Sequence, residues 1–237
     1  MADLDFYFDP ICPFAWMTSK WVRLVAAQRD YEVAWRFISL RMVNAGLDYA
    51  AQFPPDYERA HTAGLELLRV AAAVRRDHGE AAVADLYLAY GTELFDSPPA
   101  RREELQRDTR ACAAPVLELL GLPARTLDAI GDTSLDPVIQ AETDRALELT
   151  GRDVGTPILH FDPPAGSALF GPVISRLPSD KEAVELWDHV VALSRFGGFA
   201  ELKRSLRETP QLRALGVEEG TVGVQEDWQH GHRRAAS

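Results

Sequence analysis

Apolar positions open the chain as a short block, Leu4-Asp5-Phe6-Tyr7-Phe8, which stops at Asp9-Pro10. A run that short, rich in aromatics and closed by a turn pair, predicts a buried β-strand. Beyond Cys12-Pro13 the period changes: Met17, Trp21, Leu24 and Val25 fall at i, i+4, i+7 and i+8, on one face of a helix. Over residues 31–39 it returns to two, with Val33, Trp35 and Phe37 alternating with Glu32, Ala34 and Arg36. Strand, helix, strand predicts a βαβ unit.

From residue 54 to about residue 151 the chain is dominated by Ala, Leu, Glu and Arg, all strong helix formers. Breaks fall near Gly79, Ser97-Pro98-Pro99, Gly121-Leu122-Pro123 and Asp136-Pro137, so about four or five packed helices are expected and no strand. Strand character resumes at Thr156-Pro157-Ile158-Leu159-His160-Phe161. After a turn at residues 162–166 it reappears in Ala168-Leu169-Phe170, predicting a hairpin. Ser179 with Glu182 three residues on reads as a capping box for a helix through Ala183, Leu186, Trp187, Val190 and Val191. A shorter helix is expected over residues 199–206. From about Glu218 no apolar period remains, and a mobile tail is expected.

Strands thus flank a strand-free helical block, so the outer parts are expected to share one sheet. The fold class this predicts is α/β, a thioredoxin-like fold with an inserted all-helical domain, the DsbA-like layout. The expected division is residues 1–45 and 152–207 for the thioredoxin-like part, 46–151 for the insertion and 208–237 for the tail.

Composition narrows the function classes. With 46% hydrophobic and 26% charged residues the chain is an ordinary globular one. A net charge of −11 argues against nucleic acid and against an anionic membrane as partners. No apolar run is long enough to cross a bilayer. The acidic start, Met1-Ala2-Asp3-Leu4-Asp5, lacks a basic n-region, so no secretory signal and a cytoplasmic location are expected. Two cysteines, Cys12 and Cys112, are too few for a disulfide framework.

Cys12 sits where the first strand gives way to a helix. Unpaired N–H groups and the positive end of the helix dipole favour an anion there, so a thiol more acidic than a free one is expected. Pro13 suits the first helical position. The alternative is a small buried cysteine of no chemical consequence. Thioredoxin-like enzymes carry a second cysteine three residues on; here Ala15 stands in its place, which rules out a vicinal disulfide. Val154-Gly155-Thr156-Pro157 supplies the second feature. A proline opening a strand is unusual, and in this fold a cis-proline faces the active-site thiol. Cys112, in Ala111-Cys112-Ala113-Ala114, reads as a core residue. His160 is expected to be fixed within the fold. His61, His78, His189 and the His230-Gly231-His232 stretch show no metal-ligand spacing, so no metal is expected.

Asp9-Pro10-Ile11-Cys12-Pro13-Phe14-Ala15-Trp16, Ser39-Leu40 with Asn44, Gly155-Thr156-Pro157 and Phe170-Gly171-Pro172-Val173 together resemble the mycothiol-dependent nitroreductase family of DsbA-like proteins. The resemblance extends to Glu201-Leu202-Lys203-Arg204. It implies a nucleophilic Cys12 with Phe14 beside it, pocket positions at Asn44 and Tyr57, and a cis-proline at Pro157. It also implies mycothiol, or another low-molecular-weight thiol, as co-substrate. Ala15 departs from the family's second cysteine, and Phe95 stands where a histidine is expected. Pro13, Trp16 and Thr156 complete the expected substrate- and thiol-binding set, with Trp16 and Phe14 as candidate walls of a flat apolar pocket. The function implied is a monothiol oxidoreductase that reduces or conjugates a small organic electrophile or disulfide. The alternatives are chemistry like that of kappa-class glutathione transferase or chromene-carboxylate isomerase, and a redox-inactive binding protein. Ala-rich faces in the helical block make a homodimer an expectation.

Overall fold

The computed structural model describes residues 2–53, 56–204, 206–229 and 232–233. The opening unit is β1 (Leu4–Phe8), α1 (Pro13–Ala26) and β2 (Val33–Phe37), followed by two single-turn helices, α2 (Leu40–Val43) and α3 (Tyr49–Gln52). The helical block contains α4 (Tyr57–His78), α5 (Glu80–Phe95), α6 (Pro99–Arg107), α7 (Thr109–Leu119) and α8 (Asp136–Thr150). Then come β3 (Ile158–Phe161), β4 (Ala168–Phe170) and α9 (Asp180–Arg195), and finally β5 (Leu206–Glu208), β6 (Gln225–Gln229) and β7 (His232–Arg233).

The main sheet has the order β2-β1-β3-β4. β1 runs parallel to β2, with Phe6 opposite Trp35 and Phe8 opposite Phe37, and antiparallel to β3, with Phe6 opposite Leu159. Because β1 is central, Leu4, Phe6, Tyr7 and Phe8 are all buried, which is why its sequence is a near-continuous apolar run. β2, at the edge, keeps its alternation: Trp35 and Phe37 face inward while Arg36 pairs outward with Asp5 at 3.0 Å and Glu80 at 3.1 Å.

Chain punctuation falls where the breaks predict. Gly79, at φ 88°, ends α4 in a conformation that disfavours a side chain, and Pro99 opens α6. α1 packs on α9, tied by Trp21 Nε1 donating to the Ala183 carbonyl at 2.9 Å. The Phe8 ring stacks on Tyr87 of α5 at 3.8 Å, joining the sheet to the helices. Glu142 of α8 does the same with charge, accepting from the Phe37 backbone N–H at 2.7 Å and pairing with Arg75 of α4 at 2.7 Å.

Two expectations fail. Residues 199–204 form no helix: the segment follows Gly197-Gly198 and has no face to bury, with Leu202 77% exposed. The tail is not featureless either. β5 pairs antiparallel with β6, Arg207 opposite Glu226, while Leu212 and Ala214 are buried and the 3₁₀ turn Arg213–Leu215 packs on α6. Strands of three to five residues held by distant partners leave no periodicity to read.

Candidate active site

Cys12 is the N-cap of α1, with extended backbone (φ −83°, ψ 114°) and Pro13 next. Its carbonyl accepts the Trp16 N–H at 3.0 Å, closing the first turn. The thiol Sγ donates to the Thr156 carbonyl oxygen at 3.4 Å. Thr156–Pro157 is cis, as the residue pattern suggests. Thr156 Oγ1 donates to the Tyr7 carbonyl at 3.1 Å, which anchors this loop to the end of β1.

Asp9 holds the approach to Cys12 in place. It is fully buried; one carboxylate oxygen accepts the Ile11 N–H at 3.1 Å and the other the Leu40 N–H at 2.8 Å. One side chain thereby joins the β1–α1 turn to the start of α2. Burial pushes its carboxyl up to about 7, against the pull of those two N–H donors. α4 can lie across this carboxyl only because residue 64 is glycine: a Cβ there would come within 2.5 Å of Asp9 Oδ1 and 2.9 Å of Ile11 Cγ1. Neither Asp9 nor Gly64 stands out in the sequence as more than a turn residue and a helix weak point.

The thiol is not acidic. Burial pushes Cys12 up to about 12; the Ala15 and Phe14 N–H groups and Arg207 pull it down, and Asp9 pushes it further up. The helix N-terminus acts in the expected direction, but removing solvent from a side chain 8% exposed outweighs it. In this closed arrangement Cys12 is a thiol at neutral pH.

Beside it lies a cavity of about 520 Å³. Cys12, Pro13, Phe14, Asn44, Tyr57 and Thr156 all line it, so the structure brings together six of the expected site residues. Trp16 and Pro157 do not line it. Trp16 is 1% exposed and lies in the core against α5, where Gly91 makes room for its ring. The Pro157 carbonyl instead accepts the Gly171 N–H at 2.9 Å. Phe95 is fully buried beneath Arg102, whose guanidinium lies 5.5 Å from the ring centroid.

Several wall residues escaped the sequence reading. His61 lines the cavity, its Nδ1 2.9 Å from the Tyr49 hydroxyl. Arg102 and Gln106 project from α6, whose composition is that of a solvated helix. Thr209, Pro210, Leu215, Val217 and Val224 come from the segment expected to be a loose tail. Cys112 is fully buried and pushed up to about 12 chiefly by burial, a core residue as expected. His160 is 2% exposed, with Nδ1 3.8 Å from Asp5 Oδ2. Among the described residues no group of three His, Cys, Asp or Glu is arranged to hold a metal, and no helix is long and apolar enough to cross a membrane.

The family model described as "Rv2466c-like: Mycothiol-dependent nitroreductase Rv2466c" matches residues 11–204. "Uncharacterized protein Rv2286c" of Mycobacterium tuberculosis (strain ATCC 25618 / H37Rv) is 33% identical over 211 residues, covering 86% of this chain and 82% of that protein. Among solved structures, 2-hydroxychromene-2-carboxylate isomerase aligns with a TM-score of 0.51 at 16% identity, over 81% of this chain and 96% of its own. That likeness is one of fold, the thioredoxin-like sheet interrupted by helices.

Proposed function

The chain belongs to the Rv2466c-like family of mycothiol-dependent nitroreductases, and we propose that it is a monothiol member working through Cys12 with mycothiol. In this reading it reduces or conjugates a small organic electrophile or disulfide. The observation that carries it is the position of Cys12: on the wall of a cavity, hydrogen-bonded to Thr156, with Ala15 where a resolving thiol would stand.

For a disulfide substrate the steps balance without a second protein thiol. The Cys12 thiol loses its proton to solvent or a basic group and attacks one sulfur, forming a mixed disulfide and expelling the other sulfur as a thiolate. A mycothiol thiolate then attacks the substrate-derived sulfur, restoring the Cys12 thiolate and leaving a substrate–mycothiol disulfide. An external thiol is required because the two cysteines of the chain are both free and buried apart. Thr156 offers the docking carbonyl, and Asp9 fixes the turn that aims Sγ.

The test is whole-protein mass spectrometry of the Cys112→Ala protein after exposure to mycothiol disulfide. One mycothiol should add, free mycothiol should remove it, and the Cys12→Ser change should abolish it. A protein that gains nothing at Cys12 under these conditions would refute the reading. The protonated resting state of Cys12 favours a second reading, in which the thiol donates a hydrogen bond to a bound thiol cofactor and the reaction is an isomerisation or conjugation. Turnover without net oxidation of mycothiol would select it.

A further inference from the structure

Adjacent arginines on α6 are treated in opposite ways. Arg101 pairs with Glu93 and with Glu104, each at 2.9 Å. Arg102 makes no ion pair among the described residues, and its Nε is buried without a hydrogen-bond partner. One helical turn on, at i+4, Gln106 Nε2 is also buried and unpartnered, although the Gln106 backbone carbonyl accepts from Arg59 at 3.0 Å. Both side chains line the Cys12 cavity. Buried donors left unpaired cost folding free energy, so two of them side by side in a cavity wall mark a place for an acceptor.

The charge balance says which kind. The chain carries −11, yet the cationic groups acting on Cys12 are Arg102 and Arg207, the latter 5.9 Å from the Phe14 ring. The wall also carries aromatic rings, among them Phe53 and Tyr57, stacked on each other at 5.7 Å and 26°. A guanidinium fork beside an amide donor matches the two oxygens of a carboxylate, and stacked rings match a flat body. Mycothiol, an amide of neutral sugars, has no carboxylate to offer.

We propose that Arg102 and Gln106 form an anion subsite of the Cys12 cavity that takes the carboxylate of a flat aromatic acid, the second substrate beside the thiol. The subsite deepens the reading of this cavity as a place of thiol chemistry. It is tested by binding alone, so the two can fail separately.

The experiment is calorimetric titration of the full-length Cys12→Ser protein with 4-nitrobenzoate and with the neutral 4-nitrobenzamide. The acid should bind about tenfold or more tightly than the amide, as expected for one charge-assisted fork. Arg102→Gln should remove that preference while leaving the amide's affinity unchanged, and Arg102→Lys should restore part of it. If Arg102→Gln does not fold, Gln106→Leu takes its place and should weaken the acid several-fold but not the amide. Equal affinity for the two compounds, or a preference that survives both substitutions, overturns the subsite. The acid preference holding while no mycothiol adduct forms would leave the subsite standing and remove the thiol chemistry.

Discussion

Cys12 Sγ donates to the Thr156 carbonyl oxygen across 3.4 Å, so the thiol hydrogen is already engaged by the loop that faces it. That bond exists only while the sulfur is protonated, and burial keeps it so, with the group pushed up to about 12. In a Cys112→Ala protein, the rate of Cys12 alkylation should climb steadily with pH and show no plateau up to about pH 10, unlike a free thiol of about 8.5. A plateau centred near neutrality would mean that the helix N-terminus outweighs burial after all.

The wall from Thr209 to Val224 lines the same cavity as the thiol. A chain ending at Arg204 should therefore expose Cys12 and speed its alkylation at neutral pH by about tenfold, the gain that one pKa unit gives. The loss of Arg207 works against this gain but is the smaller influence on Cys12. Alkylation of the shortened protein at the full-length rate would show that the wall does not shield the sulfur.

Asp9 has a signed pH effect. In the folded protein its carboxyl is pushed up to about 7, so the fold holds a proton that the unfolded chain releases above about 4. Its contribution to stability is full below that lower value, falls as pH climbs through the window and is gone above about 7. Asp9→Asn should flatten this slope in urea unfolding measured at about pH 5 and about pH 8. It should also cost about 1–3 kcal/mol at both, since an amide cannot accept from both the Ile11 and Leu40 N–H groups. A variant with the parent's pH slope would assign the titration elsewhere.

Gly91→Ala places a methyl group on the Trp16 ring. Over-packing of this kind costs about 1–3 kcal/mol, read by chemical denaturation. Because Trp16 lies one turn from Cys12 on α1, the same variant should also take up mycothiol more slowly. Unchanged stability would mean that α1 and α5 yield easily at this contact.

The sheet and the start of α1 were legible because each signal is local. The apolar run of β1, the switch of period after Pro13 and the capping box at Ser179 lie within a few residues of what they specify. The acidity of Cys12 is not legible because its cause is not local: the dipole of α1 can be read from position, but exclusion of solvent depends on Leu40, Val173 and the Thr156 loop, far along the chain. Trp16 lies in the core and not on the cavity wall, a difference the sequence does not carry, because an aromatic beside the thiol reads the same whether it faces the cavity or α5. Arg102 and Gln106 were invisible, since Pro99-Ala100-Arg101-Arg102-Glu103-Glu104 carries the charges of a solvated helix and Leu105 alone is fully buried.

The Cys12 sulfur comes from one end of the chain and part of its cavity wall from the other. Cys12 is set by β1 and α1, while Pro210, Leu215 and Val224 lie beyond the last helix and outside the main sheet. The thiol and this part of its cavity wall are therefore inherited on separate stretches. A swapped or trimmed carboxyl-terminal segment can reshape the cavity while β1 and α1 stay as they are, and two proteins alike in their first halves need not enclose the same space.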